Sequence, residues 1–255
     1  MPLVDTPRGK VWAAIHRRKH DAQSAIFIHG AGGSHLSFPA SLRKLQSIEA
    51  ILIDLPGHGA SAGAGHSSIA AYALDVTTLM DALAIDSAIL IGHSMGGAIA
   101  QFLALEHRAR VRAIVLACTG ARLPVNPALI KGIVAEKDKT IDNLSRWMWS
   151  KNRPADMARQ TAEIMRGTSP SVFEGDLIAC DNFDVSNRLG DIKAPTLILA
   201  GENDRMTPVA LSQELEAGIP GSELQIIPSA GHMLQLEQPE LTKELIDSWL
   251  RSPSL

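Results

Sequence analysis

A serine hydroxyl becomes a nucleophile only when a base can take its proton and preorganised donors can meet the oxyanion its attack creates. The pattern G-x-S-x-G, which suits that chemistry, occurs twice in this chain. One copy is Gly92-His93-Ser94-Met95-Gly96 and the other is Gly59-Ala60-Ser61-Ala62-Gly63. The chemistry requires a sharp turn from strand to helix that lifts the hydroxyl out of a sheet. Glycines must flank it where side chains would strike the neighbouring strand and helix. Ser94 meets both demands, because the apolar run Ala88-Ile89-Leu90-Ile91-Gly92 precedes it and a helical pattern from Gly96 to Leu103 follows. Ser61 follows Pro56-Gly57-His58-Gly59 among small residues, with no strand running into it, and is expected to be a loop serine. His93 shares the tight turn with Ser94, so its ring points elsewhere. It is expected to be a packed or hydrogen-bonded histidine.

On a parallel sheet bearing such a turn, the partners follow in the order serine, acid, histidine, from loops after later strands. Asp204 follows the apolar run Thr196–Ala200, and His232 follows the run Glu223–Ile227 in Pro228-Ser229-Ala230-Gly231-His232. Both therefore belong at the strand carboxyl ends, where Ser94 also lies. Glu202 is the rival acid and is expected to be a solvated turn residue. The oxyanion donors are expected to be the backbone N–H groups of Met95, directly after the nucleophile, and of Ala31. Ala31 lies in the loop His29-Gly30-Ala31-Gly32-Gly33, which the His29 side chain is expected to brace.

The elements that must position these residues alternate along the chain. Strand candidates are Ala25–His29, Ala50–Asp54, Ala88–Gly92, Val111–Ala117, Thr196–Ala200 and Glu223–Ile227, with Lys10–Arg17 as a further edge strand. Most are almost continuously apolar, as strands are when helices cover both sheet faces. Ser67 or Ser68 can cap a helix whose apolar face is Ile69, Tyr72, Val76, Leu79 and Leu83. Thr207-Pro208 opens another, and Pro239 opens a last one that turns Leu241, Leu245 and Trp249 inward. From Gly120 to Leu189 only helical patterns occur, at Pro127–Glu136, Ile141–Trp149 and Asp156–Arg166. The expected organisation is a core of 1–119 and 190–255 with a helical cap at 120–189, lying over the carboxyl end of the sheet where ligands bind.

Taken together, His29-Gly30, Asp54-Leu55-Pro56-Gly57-His58-Gly59, Gly92-His93-Ser94-Met95-Gly96-Gly97, the segment from Pro195 to Asp204, and Gly231-His232 resemble the α/β-hydrolase superfamily. The resemblance covers nearly all of the chain outside the cap. It implies an eight-stranded, mostly parallel sheet with an inserted helical cap. Dehalogenases and epoxide hydrolases of that superfamily carry Asp where this chain has Ser94. Its C–C bond hydrolases usually show Gly-Asn-Ser at the elbow and a Gly-Pro-Gly oxyanion loop, from which Gly92-His93-Ser94 and Ala31-Gly32-Gly33 depart. The elbow is similar to that of monoacylglycerol lipases and small esterases. The resemblance thus implies cleavage of a carboxylic ester of a small to medium substrate through an acyl-enzyme, with a thioester, lactone or C–C bond as alternatives. A non-catalytic receptor or scaffold is the alternative of another class, and turnover of a simple aryl ester separates the two.

Composition narrows the partners. The chain of 255 residues is 45% hydrophobic, with 24 basic and 27 acidic residues and a net charge of −3. No dense basic tract points to nucleic acid, and no apolar run approaches the ~18 residues needed to span a bilayer. His16-Arg17-Arg18-Lys19-His20 is expected to be a solvated turn, not a metal site. No other cluster has metal-ligand spacing and no glycine loop cradles a phosphate, so no metal or cofactor is expected. The first residues lack a basic segment followed by an apolar run, and Cys118 and Cys180 stand far apart. Both features fit a reduced, cytoplasmic protein. Trp147 and Phe183 are the cap aromatics expected to line an acyl pocket.

Overall fold

The computed structural model describes residues 3–16, 22–46, 48–151 and 155–252. The apolar runs form the central strands β3 (Gln23–Ile28), β4 (Ile48–Ile53), β5 (Ala88–His93), β6 (Val111–Ala117) and β7 (Thr196–Gly201), with β8 (Glu223–Ile227) at one edge. The other edge is a hairpin of β1 (Leu3–Thr6) and β2 (Gly9–His16), of which only β2 had a readable pattern. β1 is four residues long and half exposed, too short for an alternation to stand out. The sheet order is β1-β2-β4-β3-β5-β6-β7-β8, antiparallel from β1 through the β2–β4 pair and parallel from there on. Of the turn expected at His16 to His20, His16 is the last residue of β2 and 17–20 lie outside the described residues.

Two apolar layers sandwich this sheet. One contains α1 (Ile69–Ala82) and α2 (Met95–Glu106): α2 packs on β3, β5 and β6, and α1, with Ile69, Tyr72, Val76 and Leu79 buried, packs on α2 and β1. Between β6 and β7 the described residues form four α-helices, α3 (Pro127–Ala135), α4 (Lys137–Met148), α5 (Ala155–Gly167) and α6 (Pro170–Asp181). Its two ends are stitched by an isolated antiparallel bridge between Arg122 and Asp184. This insertion has an apolar cluster of its own, into which Met233 and Leu236 reach from the loop after β8. The chain closes with α7 (Val209–Gly218), the short α8 (Leu234–Glu237) and α9 (Pro239–Leu250), whose Trp249 is buried in the second layer.

Strand order decides where a site can form. The chain steps from β3 outward to β4 and then returns to β5 on the other side of β3. The crevice at such a reversal, beyond the strand carboxyl ends, is where open α/β sheets bind ligands. Here the loop after β3 and the turn after β5 meet in that crevice, because Ile28 pairs in register with Gly92.

Candidate active site

Ser94 joins β5 to α2 with φ 55° and ψ −119°, a left-handed conformation that costs a non-glycine residue of order 1–3 kcal/mol. Its surroundings impose it. The Ser94 N–H donates to the Ala117 carbonyl at 2.9 Å, and its own carbonyl accepts from the Gly97 N–H at 2.8 Å and Thr119 Oγ1 at 2.9 Å. A Cβ on Gly92 would overlap the Gly96 carbonyl, and one on Gly96 would overlap the Ile28 carbonyl. The flanking glycines are thus a packing requirement of strand against helix.

His232 and Asp204 meet across the loops after β8 and β7. The carboxylate Oδ2 of Asp204 accepts from His232 Nδ1 at 2.8 Å and from Thr207 Oγ1 at 2.6 Å. Oδ1 accepts from the N–H groups of Met206 and Thr207 at 2.8 and 3.0 Å. Burial alone would raise the pKa of Asp204, but the His232 ring and the Thr207 donors outweigh it and hold the carboxyl well below its usual range. Asp204 is therefore a fixed anion that assigns the Nδ1 proton to His232 and leaves Nε2 as the basic nitrogen. Thr207 was missed by sequence reasoning. A threonine three residues after a loop aspartate is a common turn partner, and that was the available signal.

Ser94 and His232 line one cavity of about 50 Å³ together with Gly30 and Ala31. Ala31 is partly buried between the core and the insertion, and Met95 is the first residue of α2. The N–H of Met95 is thus one of the helix-start donors with no intrahelical acceptor. A Cβ on Gly30 would stand 3.0 Å from Ser94 Cβ, so the bare backbone there lets the loop after β3 approach the elbow this closely. Apart from Ser37, His93 and Thr161, the rest of the wall is apolar and comes largely from the insertion, including Leu144, Met148, Met165 and Phe173.

The other histidines near the site are neutral braces. His93 is pushed down to about 3 by burial and by the neighbouring His232, and its Nε2 donates to the His232 carbonyl at 2.8 Å. His29 is lowered to about 4, first by burial and then by the charge of His58. Its Nδ1 donates to the Gly30 carbonyl at 2.8 Å and its Nε2 accepts from the Leu55 N–H at 3.0 Å. Glu202 is exposed and accepts from the Ser229 N–H at 2.8 Å, which steadies a turn residue with positive φ. Ser61 donates to the Asp54 carbonyl at 2.5 Å and accepts from the Trp12 N–H at 2.8 Å, tying a loop to β2.

The two expected pocket aromatics are placed elsewhere. Trp147 is 43% exposed, because Ile141, Leu144 and Met148 define the inward stripe of α4 and Trp147 lies roughly a quarter turn from it. Phe183 follows α6, is buried in the main core and lines a surface cleft beside Ser67 and Ser68. Phe173 and Met148 occupy the wall instead. Phe173 sits on α6, a helix absent from the expected pattern although Ser169-Pro170 announces its start with a side-chain cap to the Val172 N–H.

A profile of the Alpha/beta hydrolase family matches residues 25–245. The chain belongs to that family. It is 24% identical over 258 residues to 3-oxoadipate enol-lactonase 1 of Acinetobacter baylyi, covering 98% of this chain and 97% of the relative. It is 30% identical over 257 residues to a 2-hydroxy-6-oxononadienedioate/2-hydroxy-6-oxononatrienedioate hydrolase of Pseudomonas putida, covering 90% and 88%. A solved structure of a thermophilic esterase from Thermogutta terrifontis superposes with a TM-score of 0.83 at 25% identity, over 98% and 97% of the two chains. With these relatives around it, the chain is a hydrolase. No helix among the described residues is long and apolar enough to cross a membrane.

Proposed function

We propose that the protein hydrolyses a carboxylic ester with a compact acyl group through an acyl-enzyme on Ser94. The observation that carries this reading is the convergence of the strained Ser94 elbow and the Asp204–His232 pair on one small apolar cavity. In this mechanism Nε2 of His232 takes the Ser94 proton as the hydroxyl attacks the carbonyl carbon. The N–H groups of Ala31 and Met95 receive the oxyanion. His232 then protonates the leaving alcohol, and a water activated by the same nitrogen releases the acid. Nothing in these steps calls for a metal or cofactor.

A lactone is a second substrate form for the same machinery. The enol-lactonase relative favours it. The test is turnover of acetyl-to-octanoyl aryl esters, simple lactones and a vinylogous 1,5-diketone, with mass spectrometry of the quenched enzyme. An acyl adduct on Ser94 with short-chain esters or lactones is the expected outcome. Turnover of the diketone alone would replace the ester reading with C–C cleavage, and no turnover of any substrate would leave a binding protein.

A further inference from the structure

The insertion reaches the reaction centre at a second place, behind the cavity wall. Gly32, next to Ala31, has φ +63°, and both of its backbone groups are held by side chains of the insertion. Its N–H donates to Asp176 Oδ2 at 2.8 Å, and its carbonyl accepts from Thr168 Oγ1 at 3.2 Å. The ring of Phe173 closes over it, since a Cβ on Gly32 would stand 2.8 Å from Phe173 carbons. Thr168 precedes α6, and Phe173 and Asp176 lie on it.

Asp176 is itself fully buried and anchored in the core. Its Oδ2 also faces His58 Nε2 at 2.8 Å, and its Oδ1 accepts from the Tyr72 hydroxyl at 2.5 Å. The other ring nitrogen of His58, Nδ1, faces only the Pro56 carbonyl at 3.1 Å. A carbonyl and a carboxylate both accept, so both ring nitrogens carry protons and His58 is an imidazolium. The same carboxylate thus closes a buried ion pair with the loop after β4 and positions the loop after β3.

We propose that Asp176 and Thr168 are positioning residues for the oxyanion hole: the helical insertion sets the Ala31 donor by gripping the peptide groups of Gly32. This rests on the reading of Ala31 as an oxyanion donor. Its consequence is that seating α6 on the core and completing the donor pair are one event. An enzyme whose insertion lifts away keeps its serine, histidine and aspartate but loses the aimed N–H. Because the oxyanion exists only along the reaction path, misaiming the donor should act on kcat with little effect on KM.

The test uses the full-length protein with Thr168→Val, which removes one hydroxyl at nearly constant volume, Thr168→Ser, which restores it, and Asp176→Asn. The amide oxygen of the last can still accept from Gly32 but carries no charge for His58. Rates are normalised to end-point labelling of Ser94 by a fluorophosphonate, so misfolded molecules do not count. Thr168→Val and Asp176→Asn should lower kcat per labelled site roughly ten- to hundredfold, the scale of one impaired oxyanion donor, with KM within about twofold. The rate of labelling should fall in parallel, because phosphonylation builds the same oxyanion, and Thr168→Ser should recover most of both. A loss of less than about fivefold in both variants, or a loss confined to KM, overturns the proposal. If the wild type labels on Ser94 but cleaves no ester, the ester reading fails while the labelling rates still decide this one.

Discussion

The parallel half of the sheet and the helical insertion contribute to one site by opposite means. The sheet supplies fixed points. Ser94, Asp204 and His232 each stand just beyond a strand end, and hydrogen bonds to neighbouring strands and loops lock each one in place. The insertion supplies a wall and a grip, from side chains scattered over three helices that face the site only because of how those helices pack. The difference teaches that chemistry here depends on backbone register, whereas selectivity and oxyanion geometry depend on packing. Substitutions in the two regions should therefore fail in different ways.

The hardest test of that contrast sets the two G-x-S-x-G serines against each other. Ser94→Ala should abolish fluorophosphonate labelling and remove on the order of 10⁶ in kcat, the scale of losing a triad nucleophile. Ser61→Ala should leave labelling and kcat nearly unchanged while lowering stability by about 1 kcal/mol for its lost hydrogen bonds. Peptide mapping that finds the adduct on Ser61 would break the assignment. Next comes Asp204→Asn, which keeps the shape but supports the wrong tautomer of His232, for a loss of about 10⁴ in kcat. Glu202→Gln should cost far less, and a reversal of the two would move the orienting role to Glu202.

In the insertion the expected effects are smaller and depend on substrate. Phe173→Ala should destabilise by about 3–5 kcal/mol as a buried aromatic and shift preference toward longer or bulkier acyl groups. Trp147→Ala should change stability by no more than about 0.5 kcal/mol and leave the preference alone. A selectivity change at Trp147 instead of Phe173 in an acyl-chain series would reassign the wall.

The smallest effects are those of pH on stability. The depressed pKa of Asp204 means its contribution is fully present above about pH 4, its unfolded value, and is lost as pH falls toward the folded one. The gap in Tm between wild type and Asp204→Asn should therefore narrow below about pH 4. His58 has the opposite sign. Burial lowers its pKa, but the charge and hydrogen bond of Asp176, followed by the Pro56 carbonyl and the charge of Asp54, outweigh that and raise it. Its contribution is complete below about pH 6.5 and is lost as pH rises through the raised value. His58→Gln should remove that alkaline loss, and an unchanged pH profile of Tm would show that the ring is not charged.

Much of the core is legible in the sequence. Continuous Ile, Leu, Val and Ala runs mark strands covered on both faces, and β5, β6 and β7 begin where those runs do. The order of the loops after β5, β7 and β8 placed Ser94, Asp204 and His232 on one edge, and the structure brings His232 and Asp204 into contact there. In the insertion, periodicity showed helices at α3, α4 and α5 but not which residues they aim at the site. Trp147 stands out in the sequence as a cap aromatic, yet a rotation of one residue around α4 separates it from Met148 on the wall. Asp176 left a mark that went unused. It stands inside the apolar stripe of Val172, Phe173, Leu177 and Cys180, and a carboxylate so placed must find donors.

Local pattern thus determined the strands, the elbow and the order of the candidate catalytic loops, because those follow from period, turn geometry and chain direction. The partners of Asp176, the replacement of Trp147 and Phe183 by Phe173 and Met148, and the hold of Thr168 on Gly32 were decided by tertiary structure alone. Each joins residues more than a hundred positions apart or turns on the rotation of a packed helix. Such contacts are selected by the shape of the whole core, and no window of sequence contains both partners.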